Sequence, residues 1–178
     1  MKLNKIMMVA VVAFGMSSLA HAAVKDQGHG KVTFTGSIID APCSISPETI
    51  DQTIELGQIS KVALKDSGKS TPRNFSIDLE NCEVGDKDNN KVTVTFTGME
   101  SIAANGLLGI TGTAKGASVA ITDGSGKTIE LGKATKAQQL QNGNNTLNFA
   151  AYMQGDGASA AVTEGEFQAV ADFTLAYQ

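Results

Sequence analysis

Residues 165–178 read GEFQAVADFTLAYQ. Phe167, Ala169, Ala171, Phe173, Leu175 and Tyr177 fall at every second position, with Glu166, Gln168, Asp172, Thr174 and Gln178 among the residues between them. Successive side chains of a strand point to opposite faces, so this period of two predicts one long, half-buried β-strand. The run closes the sequence, and its outer edge is expected to stay open. An unpaired apolar edge invites another chain, and natural proteins normally block such edges. The reading therefore expects a sheet waiting for a strand, with a candidate to fill it near the other end of the chain.

That other end opens with a leader. Lys2 and Lys5 precede an apolar run over residues 6–15, and Ala20-His21-Ala22 offers a small-x-small cleavage site. The run is too short for a stable bilayer span. Residues 1–22 are expected to be a signal peptide, leaving a mature chain from Ala23 to Gln178 with no membrane span. The export route expected is the bacterial secretory one.

Charge and composition narrow the function. The chain carries 14 Lys and Arg against 18 Asp and Glu, a net charge of −4 that becomes −6 when Lys2 and Lys5 leave with the leader. With no clustered basic stripe, nucleic acid is a poor partner. Aromatic residues make up 5% and Trp is absent, so a sugar platform built on ring stacking is poorly supplied. Cys43 and Cys82 are the only cysteines. An even count in an exported chain predicts one disulfide. Closing a loop of about 40 residues would stabilise the fold by roughly 4 kcal/mol on the chain-entropy model.

Short alternating stretches follow one another through the mature chain. Val32, Phe34, Gly36 and Ile38 alternate in KVTFTGSII at 31–39, before Asp40-Ala41-Pro42 ends the run. Phe75, Ile77 and Leu79 form a second stretch, Val92, Val94 and Phe96 a third, and Leu147, Phe149, Ala151 and Met153 a fourth. Residues 118–122 and 127–131 flank Asp123-Gly124-Ser125-Gly126, a strong hairpin signal. Weaker strands are expected at 52–56 and 107–111, and a helical turn within 133–141. Short strands at turn-punctuated spacing predict an all-β sandwich.

The motifs that hint at chemistry fail on context. Gly124-Ser125-Gly126-Lys127-Thr128 resembles the end of a phosphate loop, but Ile121 stands where the first glycine belongs and a strand follows instead of a helix. Asp86-Lys87-Asp88-Asn89-Asn90 resembles a calcium loop, yet Lys91 replaces its glycine and Thr97 its bidentate glutamate. His29 is the one histidine beyond the leader, and it sits in a glycine-flanked polar lead that would not hold a catalytic triad rigid. The expectation is no enzyme, no cofactor and no metal.

Taken together, several segments resemble the major structural subunits (pilins) of chaperone–usher fimbriae. They are GKVTFTGSIIDAPCSI at 30–45, LGQISK at 56–61, DLENC at 78–82, NGNNTLNFAAYMQG at 142–155 and the terminal GEFQAVADFTLAYQ. The likeness is to the mannose-resistant Proteus-like fimbrial major subunit, with the P-pilus rod subunit further off. The resemblance implies an incomplete immunoglobulin-like β-sandwich that lacks its seventh strand and is completed by a donor strand from another subunit. It implies a donor extension at 23–40 carrying Val32, Phe34, Gly36 and Ile38, followed by a pilin domain at 41–178. The acceptor groove and chaperone-recognition segment would comprise Gly165, Phe167, Ala169, Ala171, Phe173, Leu175 and Tyr177. Cys43 and Cys82 match the family's bridge. The implied partners are other copies of the chain, minor pilins, a periplasmic chaperone and an outer-membrane usher, on the way to the cell surface. The competing reading is a minor adaptor or tip-associated subunit.

Overall fold

The computed structural model describes residues 27–85, 90–158 and 160–178. The expected signal peptide at 1–22 and the loop at 86–89 lie outside these residues. The chain divides into two units, Met1–Ile38 and Ile39–Gln178. In the first, described residues 27–38 form neither helix nor strand.

The second unit is all-β apart from short helical turns. Its strands are β1 (Ser44–Ile45), β2 (Arg73–Cys82), β3 (Lys91–Gly98), β4 (Thr111–Gly112), β5 (Ala117–Asp123), β6 (Thr128–Ile129), β7 (Gln138–Gln139), β8 (Gly143–Gly155), β9 (Phe167–Gln168) and β10 (Ala171–Tyr177). A single helical turn, α1, spans Pro47–Ile50. One sheet has the order β1-β2-β8-β5-β6, the second β10-β3-β7, and β4 pairs with β9 in a small third sheet. Every pairing between these strands is antiparallel.

Alternation explains how two of these sheets make one core. Ile77 and Leu79 of β2, Ile121 of β5, and Leu147 and Phe149 of β8 turn inward from the five-stranded sheet. They meet Val92, Val94 and Phe96 of β3 in one buried cluster. Phe149 and Phe96 join the two layers edge to face, with ring centroids 5.2 Å apart, and Phe75 stacks on Phe149 at 5.5 Å. Such pairs add about 0.5–1.5 kcal/mol beyond the area they bury. This is the sandwich that the turn-punctuated pattern predicts.

Four local expectations are corrected. The terminal run is two strands, not one. Residues 167–168 pair with β4 and residues 171–177 with β3, so the chain changes sheets at Ala169–Val170 while its side chains keep alternating. Residues 32–38, expected to enter another subunit, pair with no strand among the described residues of their own chain. Residues 52–56 also lack a ladder. The Gln52 side chain meets the margin of β2 instead, Nε2 donating to the Ser76 carbonyl at 2.9 Å. Residues 133–141 hold no helix, because they supply hydrogen-bond partners along β3: the Thr135 amide donates to the Val94 carbonyl, Thr135 Oγ1 accepts from the Val94 amide, and β7 pairs with Lys91 and Val92. The weak strand at 107–111 reduces to single bridges at Leu108 and the start of β4.

Candidate assembly edge

β10 is the edge strand of its sheet among the described residues. On one side it is fully laddered to β3, with Ala171 opposite Gly98, Phe173 opposite Phe96, Leu175 opposite Val94 and Tyr177 opposite Val92. On the other side no strand among the described residues neighbours it. Its alternate side chains are half-buried rather than buried, although Phe96, Val94 and Val92, which face three of them on β3, are core. Ala171, Phe173, Leu175 and Tyr177 pack against the main cluster; Phe167, Ala169 and Ala171 pack against a second one around Leu108, Val119 and Met153. All six apolar residues expected at the groove therefore line one apolar margin, each partly open to water. Burial pushes the Tyr177 hydroxyl above its ordinary pKa.

Gly165 has a different place from the other six. It is exposed and belongs to neither apolar cluster. A Cβ there would lie 2.4 Å from Thr113 Oγ1 and 2.6 Å from the Ala114 nitrogen, and its φ of +155° also favours glycine. The absent side chain lets the next residue dock. The Glu166 carbonyl accepts from the amides of Thr113 (2.9 Å) and Ala114 (3.1 Å), and its own amide donates to Thr113 Oγ1 at 3.0 Å. Gly165 thus fixes where the terminal segment enters the fold.

The Cys43–Cys82 disulfide ties two residues 39 positions apart in sequence. It joins the residue before β1 to the last residue of β2. The Glu83 amide donates to the Pro42 carbonyl at 2.8 Å beside it. Of the residues expected to be the donor, Val32, Phe34 and Ile38 are 75%, 90% and 104% exposed. Gly36 lies with them in the strandless stretch.

The phosphate-loop look-alike resolves as structural. Asp123 Oδ1 accepts from the Ser125 amide (2.9 Å), the Ser125 hydroxyl (2.6 Å) and the Lys127 amide (3.0 Å), which makes GSGKT a hairpin turn. These bonds, the Ser125 hydroxyl first, hold the Asp123 carboxyl below its usual pKa. No group of His, Cys, Asp and Glu among the described residues is placed to hold a metal ion.

The sequence reading missed a layer on the outer face of the five-stranded sheet. Ser118, Ala120, Thr122 and Tyr152 point away from the core, yet all are buried. The excursion at 99–107 covers part of this face, with Leu107 and Ala104 against Ala120 and Tyr152. Ser118 Oγ lies 2.7 Å from Ser101 Oγ and 2.5 Å from Asp156 Oδ1. The run of small residues Ser118, Ala120 and Thr122, opposite Val119 and Ile121, was the available signal of close approach.

The described residues define an all-β sandwich whose edge strand β10 carries a half-buried apolar face. Comparison with known proteins agrees. The profile of the family described as "Fimbrial protein" matches residues 32–178. The Fimbria A protein of Serratia marcescens is 66% identical over 178 residues, covering 100% of both chains. The major MR/P fimbria protein of Proteus mirabilis is 54% identical, again over 100% of both. A structure of a chaperone–usher pilus, solved to explain rod uncoiling, superposes with a TM-score of 0.78 at 36% identity, covering 88% of this chain and 100% of the other. The crystal structure of the P pilus rod subunit PapA gives 0.69 at 34%, covering 78% and 100%. The chain belongs to the fimbrial protein family. It is a structural major pilin with an immunoglobulin-like fold, exported to the cell surface, and not an enzyme. The adaptor reading is not favoured. No helix among the described residues is long and apolar enough to cross a membrane.

Proposed function

We propose that this pilin polymerises by donor-strand exchange, with residues 23–40 of one subunit entering the edge left open beside β10 of another. The observation that carries this reading is the β10 margin. One edge is laddered and the other bare, while Phe173, Leu175 and Tyr177 stand half-buried over the core. An added strand would gain main-chain hydrogen bonds along that edge, and its alternate side chains would fill the margin. Val32, Phe34 and Ile38 have the matching period, and each large apolar side chain buried contributes about 1.5–3 kcal/mol. Gly36 lets the entering backbone pass a shallow point. Donation from one copy to the next is a heterologous contact that does not close, so it produces a filament.

The open edge also explains the need for protection before assembly. A periplasmic chaperone would lend a strand to the β10 margin, and the outer-membrane usher would exchange it for the extension of the next copy or of a minor pilin. In this scheme residues 1–22 leave as a signal peptide and residues 41–178 form the pilin domain. The test is deletion of residues 23–36. The truncated subunit is expected to be captured by the chaperone but not joined to a preceding subunit. Long fimbriae built from the truncated chain would overturn the assignment of the donor.

A further inference from the structure

The sequence contains two Asn-Gly pairs, Asn105-Gly106 and Asn142-Gly143. This dipeptide is prone to a self-reaction, because glycine has no Cβ to obstruct attack by its own backbone nitrogen on the preceding side-chain amide. The fold places the two pairs in contrasting surroundings.

Asn105 lies in a tight turn closed by the Leu107 amide on the Ala104 carbonyl at 3.1 Å. The nucleophilic nitrogen there, that of Gly106, already donates to Glu100 Oε1 at 2.5 Å. Gly106 is buried, its carbonyl accepts from the Leu131 amide, and a Cβ would meet the Glu130 side chain at 3.1 Å. Ring closure would swing this nitrogen off the carboxylate and break the turn.

Asn142 is exposed, and so is Gly143. Gly143 is the first residue of β8, has φ +92°, and has no atom within 4 Å of where a Cβ would stand. The carbonyl under attack is polarised, because Asn142 Oδ1 accepts from the Val84 amide at 2.8 Å. A donor aimed at the oxygen that becomes negative during attack stabilises the tetrahedral intermediate more than the ground state.

We propose that Asn142 is a self-modifying residue, converting through a succinimide to aspartate and isoaspartate, while the fold holds Asn105 back. Hydroxide takes the Gly143 N–H proton and the nitrogen bonds to Asn142 Cγ. The oxyanion formed faces the Val84 N–H. The bond from Cγ to Nδ2 then breaks and ammonia leaves with a proton from water. A second water opens the ring at either carbonyl. The net change is amide plus water to carboxylic acid plus ammonia. The aspartate product keeps its place and accepts the Val84 amide through a charge-assisted bond. The isoaspartate product adds a backbone carbon immediately before the residue paired with Cys82.

The experiment is incubation of purified fimbriae at mildly alkaline pH, with peptide mapping for the amide-to-acid mass change and chromatography for isoaspartate. In the folded subunit Asn142 is expected to convert about tenfold faster than Asn105, the rate equivalent of one hydrogen bond gained or lost at the barrier. In denatured chains the two should convert at similar rates. Equal folded rates, a faster Asn105, or no conversion of Asn142 in folded fimbriae would each overturn the proposal. Val84→Pro removes the polarising N–H and is expected to slow Asn142 by about tenfold with Asn105 unchanged. Faster or unchanged conversion in that variant would show that the Val84 bond does not activate the amide.

Discussion

Phe173 stands directly across from Phe96 in the β10–β3 ladder, their ring centroids 6.5 Å apart, yet Phe96 is buried and Phe173 only half-buried. The two rings mark the boundary between the finished part of the core and the part still open. Truncating a fully buried Phe to Ala costs about 3–5 kcal/mol. Because part of the Phe173 ring is already in water, Phe173→Ala should lower subunit stability by about 2 kcal/mol. The urea midpoint should fall with an unchanged slope. Thr174→Ala, one residue on and exposed, should stay within about 0.5 kcal/mol of the parent. A synthetic peptide of residues 27–40 should bind the Phe173→Ala subunit more weakly than the Thr174→Ala subunit.

Gly165→Ala tests the anchor of the terminal segment. The new methyl would collide with backbone and hydroxyl atoms of Thr113 and Ala114, and the φ of +155° is unfavourable for alanine. Relief requires giving up the Glu166 bonds to Thr113 and Ala114, which flank the β4–β9 pair. A loss of about 2–4 kcal/mol is expected, within the range of overpacked and strained sites. It should appear as a lower thermal midpoint and as faster amide exchange at Thr113 and Ala114, while the core amides of β2 and β8 stay protected.

The terminal run shows how far alternation carries and where it stops. Which residues of 165–178 face the core was readable, because a period of two assigns faces whatever the partner strand is. That the run breaks at Ala169–Val170 was not, because the break comes from a change of partner, β4 before it and β3 after it. The same limit hid the layer over Ser118, Ala120 and Thr122. Small residues on a strand permit close approach without saying what approaches. Residues 32–38 mark the other extreme: their pattern is that of a strand, but a ladder needs a second backbone, which the proposed assembly would supply.

Asp123 gives a pH-dependent test. Its carboxyl is held below the ordinary value by the Ser125 hydroxyl first, then by the Lys127 and Ser125 amides and the Lys127 charge. A depressed folded pKa means a contribution that is present above the unfolded carboxylate value and lost as pH falls through the folded value. Asp123→Ala should therefore destabilise by about 1 kcal/mol near neutrality, the scale of hydrogen bonds in an exposed turn. The gap between parent and variant should close as acid protonates the parent carboxyl. Urea titrations at a series of pH values from neutral into the acid range would read this directly. A gap that stays constant across the series would assign the effect to turn shape rather than to the charge.

The Ser118 network makes the last prediction. Ser101 Oγ accepts the amides of Ala103 and Ala104 at 3.3 and 3.2 Å. A carboxylate can only accept, so the Ser118 proton goes to Asp156 and Ser101 supplies the proton between the two hydroxyls. One buried hydroxyl thus fastens the 99–107 excursion to β5 and to the residue just beyond β8. Ser118→Ala introduces no clash but leaves Ser101 without its acceptor, at a cost of about 1–3 kcal/mol. The excursion should loosen first, with faster amide exchange at Ala103, Ala104 and Leu107 and earlier proteolytic cleavage beside the exposed Ile102. Because the excursion covers the face of the five-stranded sheet turned away from β10, binding of the 27–40 peptide should be unchanged. A parallel loss of peptide binding would mean that the outer layer and the assembly edge are coupled through the sandwich.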